Sequence, residues 1–430
     1  MTATATPFQD LARPRSQSQA LTLADIAAPC VLALYVVLKY APFDLLVHPP
    51  GLSSSVVFPA FGIAVLVITP ADRLARIPVS FVVIAFALWL VMSRLWSVSE
   101  GSTDFMIRSE VPPLLVLMLV AGTMQPERVV KSLVAVSTAI GLWSLATSLV
   151  LPKSRAAVME AGIEEPQLGF RGTFLHKNQL GIFMVFALCL VLAAVHGRAR
   201  RWLIVLCLVL IIGSRSATAG SGLGAVLFLW FSISAIRSQR GPRERSVLFL
   251  VSLTSALFSI VLALRLLPSL LGIYQKDLTF SGRTVIWRES LHVIADRPLQ
   301  GYGFGGLWIP DPPNITLELQ RRIGFDAAHA HNGTIAMLLE VGIVGLVLFA
   351  LVFFRAAALT TYAIRRPAKA DYGRWGLLTL TGLILMSLSE PLFQVPHLGL
   401  LVILIVVLAR IRNDEAAPRR RVPPGFGARP

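Results

Sequence analysis

The residues able to do chemistry gather between Ser281 and Gly345. Arg283, Trp287 and Arg288 come first, then the bend Gly301-Tyr302-Gly303-Phe304-Gly305-Gly306. Ala328-His329-Ala330-His331-Asn332 follows, directly before an apolar run. Guanidinium groups keep their proton and match phosphate oxygens two at a time, so arginines placed here suit a diphosphate. A neutral imidazole beside them can accept a proton. His331-Asn332 falls at the expected start of a helix, and a helix N-terminus disfavours an imidazolium, so His331 is expected to be neutral. His329 is either its partner or a solvated side chain. Asn332 has a second reading as a helix cap, a position where asparagine ranks high.

Two other stretches repeat the theme. Ser214-Arg215-Ser216 separates two apolar runs with no acidic residue nearby in sequence. A cation that close to hydrocarbon is costly unless it meets an anion. Arg171-Gly172-Thr173-Phe174-Leu175-His176-Lys177-Asn178 leads into another apolar run, and its bland reading is an interfacial belt ending in a helix cap. One such arginine alone suits snorkelling to lipid headgroups. Arg171, Arg215, Arg283 and Arg288 flanking separate helices suit an anion site better. The bend at Gly301 matches a dinucleotide fingerprint by letter, but it follows no strand and opens no βαβ unit. Its glycines read as a turn where the chain folds back. Cys30, Cys189 and Cys207 all lie in apolar segments. No His, Cys or carboxylate set has metal-ligand spacing, so neither a metal nor another cofactor is expected.

The elements that must position these residues are written in the composition. The 430 residues are 55% hydrophobic and only 14% charged, with a mean hydropathy of +0.71, whereas soluble domains carry roughly 25% charged residues. The apolar residues come in blocks about 18–22 long, enough to cross a bilayer as helix. The expected fold is all-α: a polytopic membrane protein of twelve helices. These fall near 25–43, 53–70, 77–96, 106–123, 129–151, 178–196, 201–213, 217–236, 246–267, 332–354, 373–390 and 396–411. The polar stretch 1–22, with no apolar core of its own, and the Pro- and Arg-rich stretch 413–430 read as solvated tails around a bundle over 23–412.

A net charge of +16 would suit nucleic acid if it formed one patch. Instead the basic residues sit in short clusters between apolar runs, the pattern that sets membrane topology, so nucleic acid is excluded as a partner. Twenty-four of the 39 lysines and arginines fall on one side when alternate loops are assigned together. Both tails are therefore expected in the cytoplasm. The long loops 152–177 and 268–331 are expected outside, and loops of that length are functional or disordered. Trp287, Leu291 and Ile294 recur at helical spacing within Thr284–Ala295, which predicts an interfacial helix against the bundle.

With these residues in view, the chain resembles the bacterial O-antigen ligases and the O-antigen and exopolysaccharide polymerases. His331-Asn332, followed after nine residues by Gly342-x-x-Gly345, is similar to the ligases' histidine motif. Ser281-Gly282-Arg283, Trp287, Pro298-Leu299 and Gly301-x-Gly303 resemble the family's outer-loop signature, and Ser214-Arg215 its arginine after the seventh helix. Arg171 to Asn178 looks closer to the exopolysaccharide polymerases. The likeness is good over about 165–345; before that only Leu95-Trp96-Ser97 and the helix pattern agree.

The resemblance implies a metal-free, inverting glycosyl transfer at the outer face of the bacterial inner membrane. The donor would be a glycan on undecaprenyl diphosphate. The acceptor would be a second lipid-linked glycan or a lipid A–core sugar, and chain-length or assembly proteins would be partners besides membrane lipids. His331 would be the base, with Arg215, Arg283 and Arg288 on the diphosphate. Arg171, Lys177, His176, Asn178, His329 and Asn332 would lie around the substrate. The main rival is a transporter or flippase of a lipid-linked glycan or anionic solute, whose folds show internal repeats and broken helices. No repeat is visible. A non-catalytic scaffold would leave the His331 and arginine cluster without a role.

Overall fold

Long apolar runs form helices because, without water, every backbone polar group must be satisfied within its own segment. The computed structural model describes residues 22–40, 54–150, 169–255, 282–308, 314–327, 329–393 and 397–416. Among them there is no strand. The helices are α1 (Leu23–Tyr40), α2 (Ser54–Val67), α3 (Ala71–Leu74), α4 (Phe81–Met92), α5 (Glu100–Thr123), α6 (Pro126–Val150), α7 (Lys177–Ala194), α8 (Arg198–Gly213) and α9 (Ala217–Ser238). Then come α10 (242–255), α11 (Arg283–Asp296), α12 (Asn314–Ile323), α13 (Gly333–Ile364), α14 (Ala370–Ser387) and α15 (His397–Ala416). With α3, α11 and α12 set aside, each helix falls on one of the twelve expected runs. Five of the described helices, α5, α6, α7, α9 and α13, are long and apolar enough to cross a membrane.

Two helices are buried almost all round. Every residue of α7 from Leu180 to Ala193 is buried, and so is every residue of α15 from Leu401 to Ile411. A helix apolar on all sides belongs inside a bundle. Here α7 packs against α6, α8, α9 and α14, while α15 packs against α5, α6 and α13. Helices such as α2, α8 and α9 keep an exposed apolar face, for example Phe61, Trp202, Ile212 and Phe231.

The expected interfacial helix is α11. Its buried face is Ile286, Ser290, Val293 and Ile294, with Trp287 half-buried beside it. Leu291, expected on that face, is exposed. Together with α12, Tyr302, Leu307 and the first turns of α13, this helix encloses a small apolar core of its own. The Trp287 indole N–H donates to the Ala330 carbonyl at 3.0 Å, and the Tyr302 hydroxyl donates to the Val293 carbonyl at 2.8 Å. The stretch around His331 is thereby fixed to α11. The tails before 22 and after 416, most of the loop 152–177 and residues 268–281 lie outside the described residues.

One helix is broken. Gly342 has φ 67° and ψ −170° inside α13, so the backbone ladder is interrupted there. Residues 298–303, which include the glycine bend, fill the gap. Ile343 and Val344 donate to the carbonyls of Pro298 and Leu299, and Tyr302 and Gly303 donate to those of Leu339 and Glu340. The indoles of Trp89 and Trp96 donate to the Val341 and Gln300 carbonyls, both at 2.9 Å. A Cβ on Gly342 would stand 2.2 Å from the Leu299 oxygen, so only glycine fits. The glycine bend is thus a turn, as expected. A broken helix, counted above as a mark of transporters, is present, but its freed groups bond to protein.

Candidate functional site

The site is built on the first turns of α7 and α13 and the end of α14. Each helix start needs acceptors for its leading N–H groups. Asn332 supplies them for α13, its Oδ1 accepting from Thr334 at 2.9 Å and Ile335 at 3.1 Å. His176 does the same for α7, its Nδ1 accepting from the Asn178 N–H at 3.1 Å. The capping readings of both residues therefore hold. Asn332 also donates through Nδ2 to the Leu388 carbonyl at 3.3 Å, tying the start of α13 to the end of α14.

Capping leaves the neighbouring side chains aimed inward at one group, Glu390. It extends the last turn of α14, its N–H bonded to the Met386 carbonyl, just ahead of Pro391. Asn178 Nδ2 donates to Glu390 Oε1 at 2.8 Å. Arg283 Nη2 lies 3.5 Å from the same oxygen, and His331 Nδ1 lies 4.0 Å from it. Only 9% of the Glu390 side chain is exposed. A carboxylate buried so deeply must be paired and hydrogen-bonded, and these groups do that.

His331 itself sits in a left-handed backbone conformation, φ 50°, which costs a non-glycine residue free energy and is kept only where the surroundings enforce it. Its N–H donates to His329 Nδ1 at 3.2 Å. The two imidazole rings lie 3.9 Å apart, centre to centre. His329 is thus a partner of His331. The ligand atoms of His329, His331 and Glu390 fall within 4.8 Å of one another, a set able to ligate a metal. Spacing along the chain concealed it, because Glu390 stands far from both histidines. The same carboxylate also takes the Asn178 donor and the Arg283 charge, which a metal cation would have to share.

The arginines separate into two groups. Arg283, the first residue of α11, reaches the Glu390 cluster. Arg288 is exposed and bonds Glu289 at 2.8 Å, holding that carboxyl below the usual carboxylate range. No contact among the described residues brings it to Glu390. Arg215 occupies the turn between α8 and α9 with φ 51° and an exposed side chain. That turn is anchored near the cluster, since the Thr218 and Ser389 hydroxyls share a 2.8 Å hydrogen bond. The Phe170 N–H donates to the Gly213 carbonyl at 2.8 Å, tying the stretch that bears Arg171 to the turn that bears Arg215. Lys177 is half-buried close by, and a Cβ on Gly169 would meet both its Cδ and the Ser214 carbonyl.

Four stretches expected to act together are therefore neighbours: 169–178, 213–218, 283–288 and 329–332. The residue joining three of them was missed. Its signal was there: an acidic residue closing an apolar run in a chain whose arginines border several such runs, where an ionisable group inside or bordering a span warrants a functional reading.

Residues 202–350 match the family model described as O-antigen ligase. Over those residues the chain is similar to the O-antigen ligases. Arg215, Arg283, Arg288, His329, His331 and Asn332 fall inside the ligase match, while Asn178 and Glu390 lie outside it on either side. A curated relative, the exopolysaccharide production protein ExoQ of Rhizobium meliloti (strain 1021), is 29% identical over 205 residues. That alignment covers 44% of this chain and 46% of ExoQ, so the match spans about half the length of either protein.

Proposed function

We propose that this membrane protein is a metal-independent, inverting glycosyltransferase. It would move a glycan from undecaprenyl diphosphate to an acceptor hydroxyl at the outer face of the bacterial inner membrane. The observation that carries the reading is the convergence of His331, Arg283 and Asn178 on buried Glu390, beside the turn that bears Arg215. In the reaction the acceptor oxygen attacks the anomeric carbon from the face opposite the diphosphate. The new C–O bond forms as the bond to the diphosphate breaks, and His331 takes the hydroxyl proton.

Glu390 lies where it would stabilise the charge gained by the imidazole. His329 fixes the His331 backbone through the N–H that it accepts. Arg283 and Arg215 would meet the charge developing on the leaving diphosphate. Arg288, Arg171 and Lys177 would contact its outer oxygens or the glycan, and the exposed apolar helix faces would hold the polyprenyl chain. The acceptor divides the family into two activities. The name of the ExoQ relative favours a polymerase extending an exopolysaccharide, and the histidine motif keeps a ligase next in line.

The test is in cells lacking the native gene, with His331→Ala expressed at wild-type membrane levels. Loss of polymer or attached glycan, with lipid-linked glycan accumulating outside, is expected, and the acceptor left unmodified tells ligase from polymerase. Normal surface glycan would reduce His331 to a structural residue. Accumulation on the cytoplasmic side would mean a flippase.

A further inference from the structure

At the other end of α14 lies a second cationic cluster that the transfer reading does not use. Arg200 near the start of α8 and Arg374 near the start of α14 both lie over the Trp230 indole of α9. Their guanidinium carbons are 4.9 and 5.6 Å from its ring centre. Arg237, in the last turn of α9, is close enough for its charge to act on Arg374. Against these three cations stands one buried carboxylate, Asp371, which pairs with Arg374 and lies 3.4 Å from His196. Despite that contact, the His196 imidazole is held below its ordinary pKa, by burial first and then by the Arg200 and Arg374 charges. Three guanidinium groups against one carboxylate leave the cluster with an excess of positive charge.

The arginines are also short of acceptors. Arg200 donates through Nη2 to the Leu192 carbonyl at 3.0 Å. Yet the Nε atoms of Arg200 and Arg374 are buried with no hydrogen-bond partner among the described residues. These guanidinium groups have lost water without a full return in protein acceptors, which is costly and calls for an anion. On α9, Phe231 beside Trp230 is 65% exposed and Phe228 a turn earlier is 39% exposed, an apolar and open surface next to the cluster.

We propose that Arg200, Arg374 and Arg237 around Trp230 form a phosphate-binding site for an anionic phospholipid, whose acyl chains lie along the exposed face of α9. Phosphate oxygens match two guanidinium forks, and the indole that both arginines contact keeps the forks oriented. A free phosphate would satisfy the same cations but would leave the apolar face unused. The site sits about 20 Å along α14 from the Glu390 end, by the rise of a helix, and is independent of the transfer reading.

The experiment is native mass spectrometry of the full-length protein released from micelles containing phosphatidylglycerol and phosphatidylcholine, with inorganic phosphate added in a separate arm. Wild type should retain phosphatidylglycerol selectively. Arg200→Gln/Arg374→Gln should weaken that retention about tenfold, the loss expected when a bidentate phosphate contact goes. Arg243→Gln/Arg245→Gln, an equal charge change on α10, should leave it intact. Arg200→Gln alone spares the Arg374–Asp371 pair and should show part of the loss even if the double variant fails to fold. Equal retention in all variants, or an equal loss in the α10 control, would overturn the site. Binding of inorganic phosphate that needs Arg200 and displaces the lipid would overturn the lipid assignment and make the ligand a soluble phosphate.

Discussion

A carboxylate that is nine-tenths buried organises its neighbours by need, and Glu390 draws its partners from α7, α11 and the strained residue ahead of α13. Glu390→Gln keeps an amide oxygen for Asn178 to bond but removes the charge. We expect transfer to fall by up to about 10²–10⁴-fold, the usual worth of the general base that Glu390 would support, with little change in membrane level. Retention of wild-type turnover in membrane vesicles would exclude Glu390 from the reaction. Arg283→Lys should lower turnover more than Arg288→Lys, since Arg283 reaches the cluster while Arg288 is paired to Glu289. Measured with one lipid-linked donor, equal losses would give Arg288 as large a share in the leaving diphosphate as Arg283. The sequence carried the types and spacing of His331, Arg283 and Asn178. It could not carry their meeting point, because one acidic residue at the end of an apolar run does not state which helices it faces.

At the level of elements, Asn332 and Gly342 define the two ends of one short helical segment. Losing the Asn332 cap in Asn332→Ala should cost about 1 kcal/mol and release the tie to Leu388, so thermal unfolding in detergent should come earlier. Gly342→Ala adds a left-handed alanine and a Cβ 2.2 Å from the Leu299 oxygen. It should cost about 1–3 kcal/mol from the strained backbone alone, and proteolysis of the stretch 298–306 should quicken. Unchanged unfolding and cleavage would mean that the break in α13 is not held by that stretch. The glycines were legible as a turn and as part of a motif. What they turn against was not, since a helix interrupted by another segment's backbone looks in sequence like any long apolar run with a glycine in it.

At the level of the molecule, the alternation of basic loops predicts that residues 239–241 and the end of α15 share one face, opposite 324–327. Single cysteines at Gln239 and Phe325 should label differently with a membrane-impermeant maleimide in intact spheroplasts. Phe325 should react and Gln239 only after lysis; the reverse would invert the bundle and put the histidines inside. Twelve apolar runs were readable because hydrocarbon imposes length and composition on any span. Their packing order was not, as almost uniformly apolar helices such as α7 and α15 carry no facing stripe to say which neighbour each one meets.

The filled break in α13 also orders events in time. Residues 298–303 leave the ribosome before Gly342 does, so the plug exists before its socket. Until the later segment enters the membrane and folds around it, the bend has no partners for Tyr302 and Gly303, and α13 has none for Ile343 and Val344. His331, the proposed base, lies between plug and socket. Its loop closes only when the last of the pair has been made, so a truncated or stalled chain cannot present an assembled site.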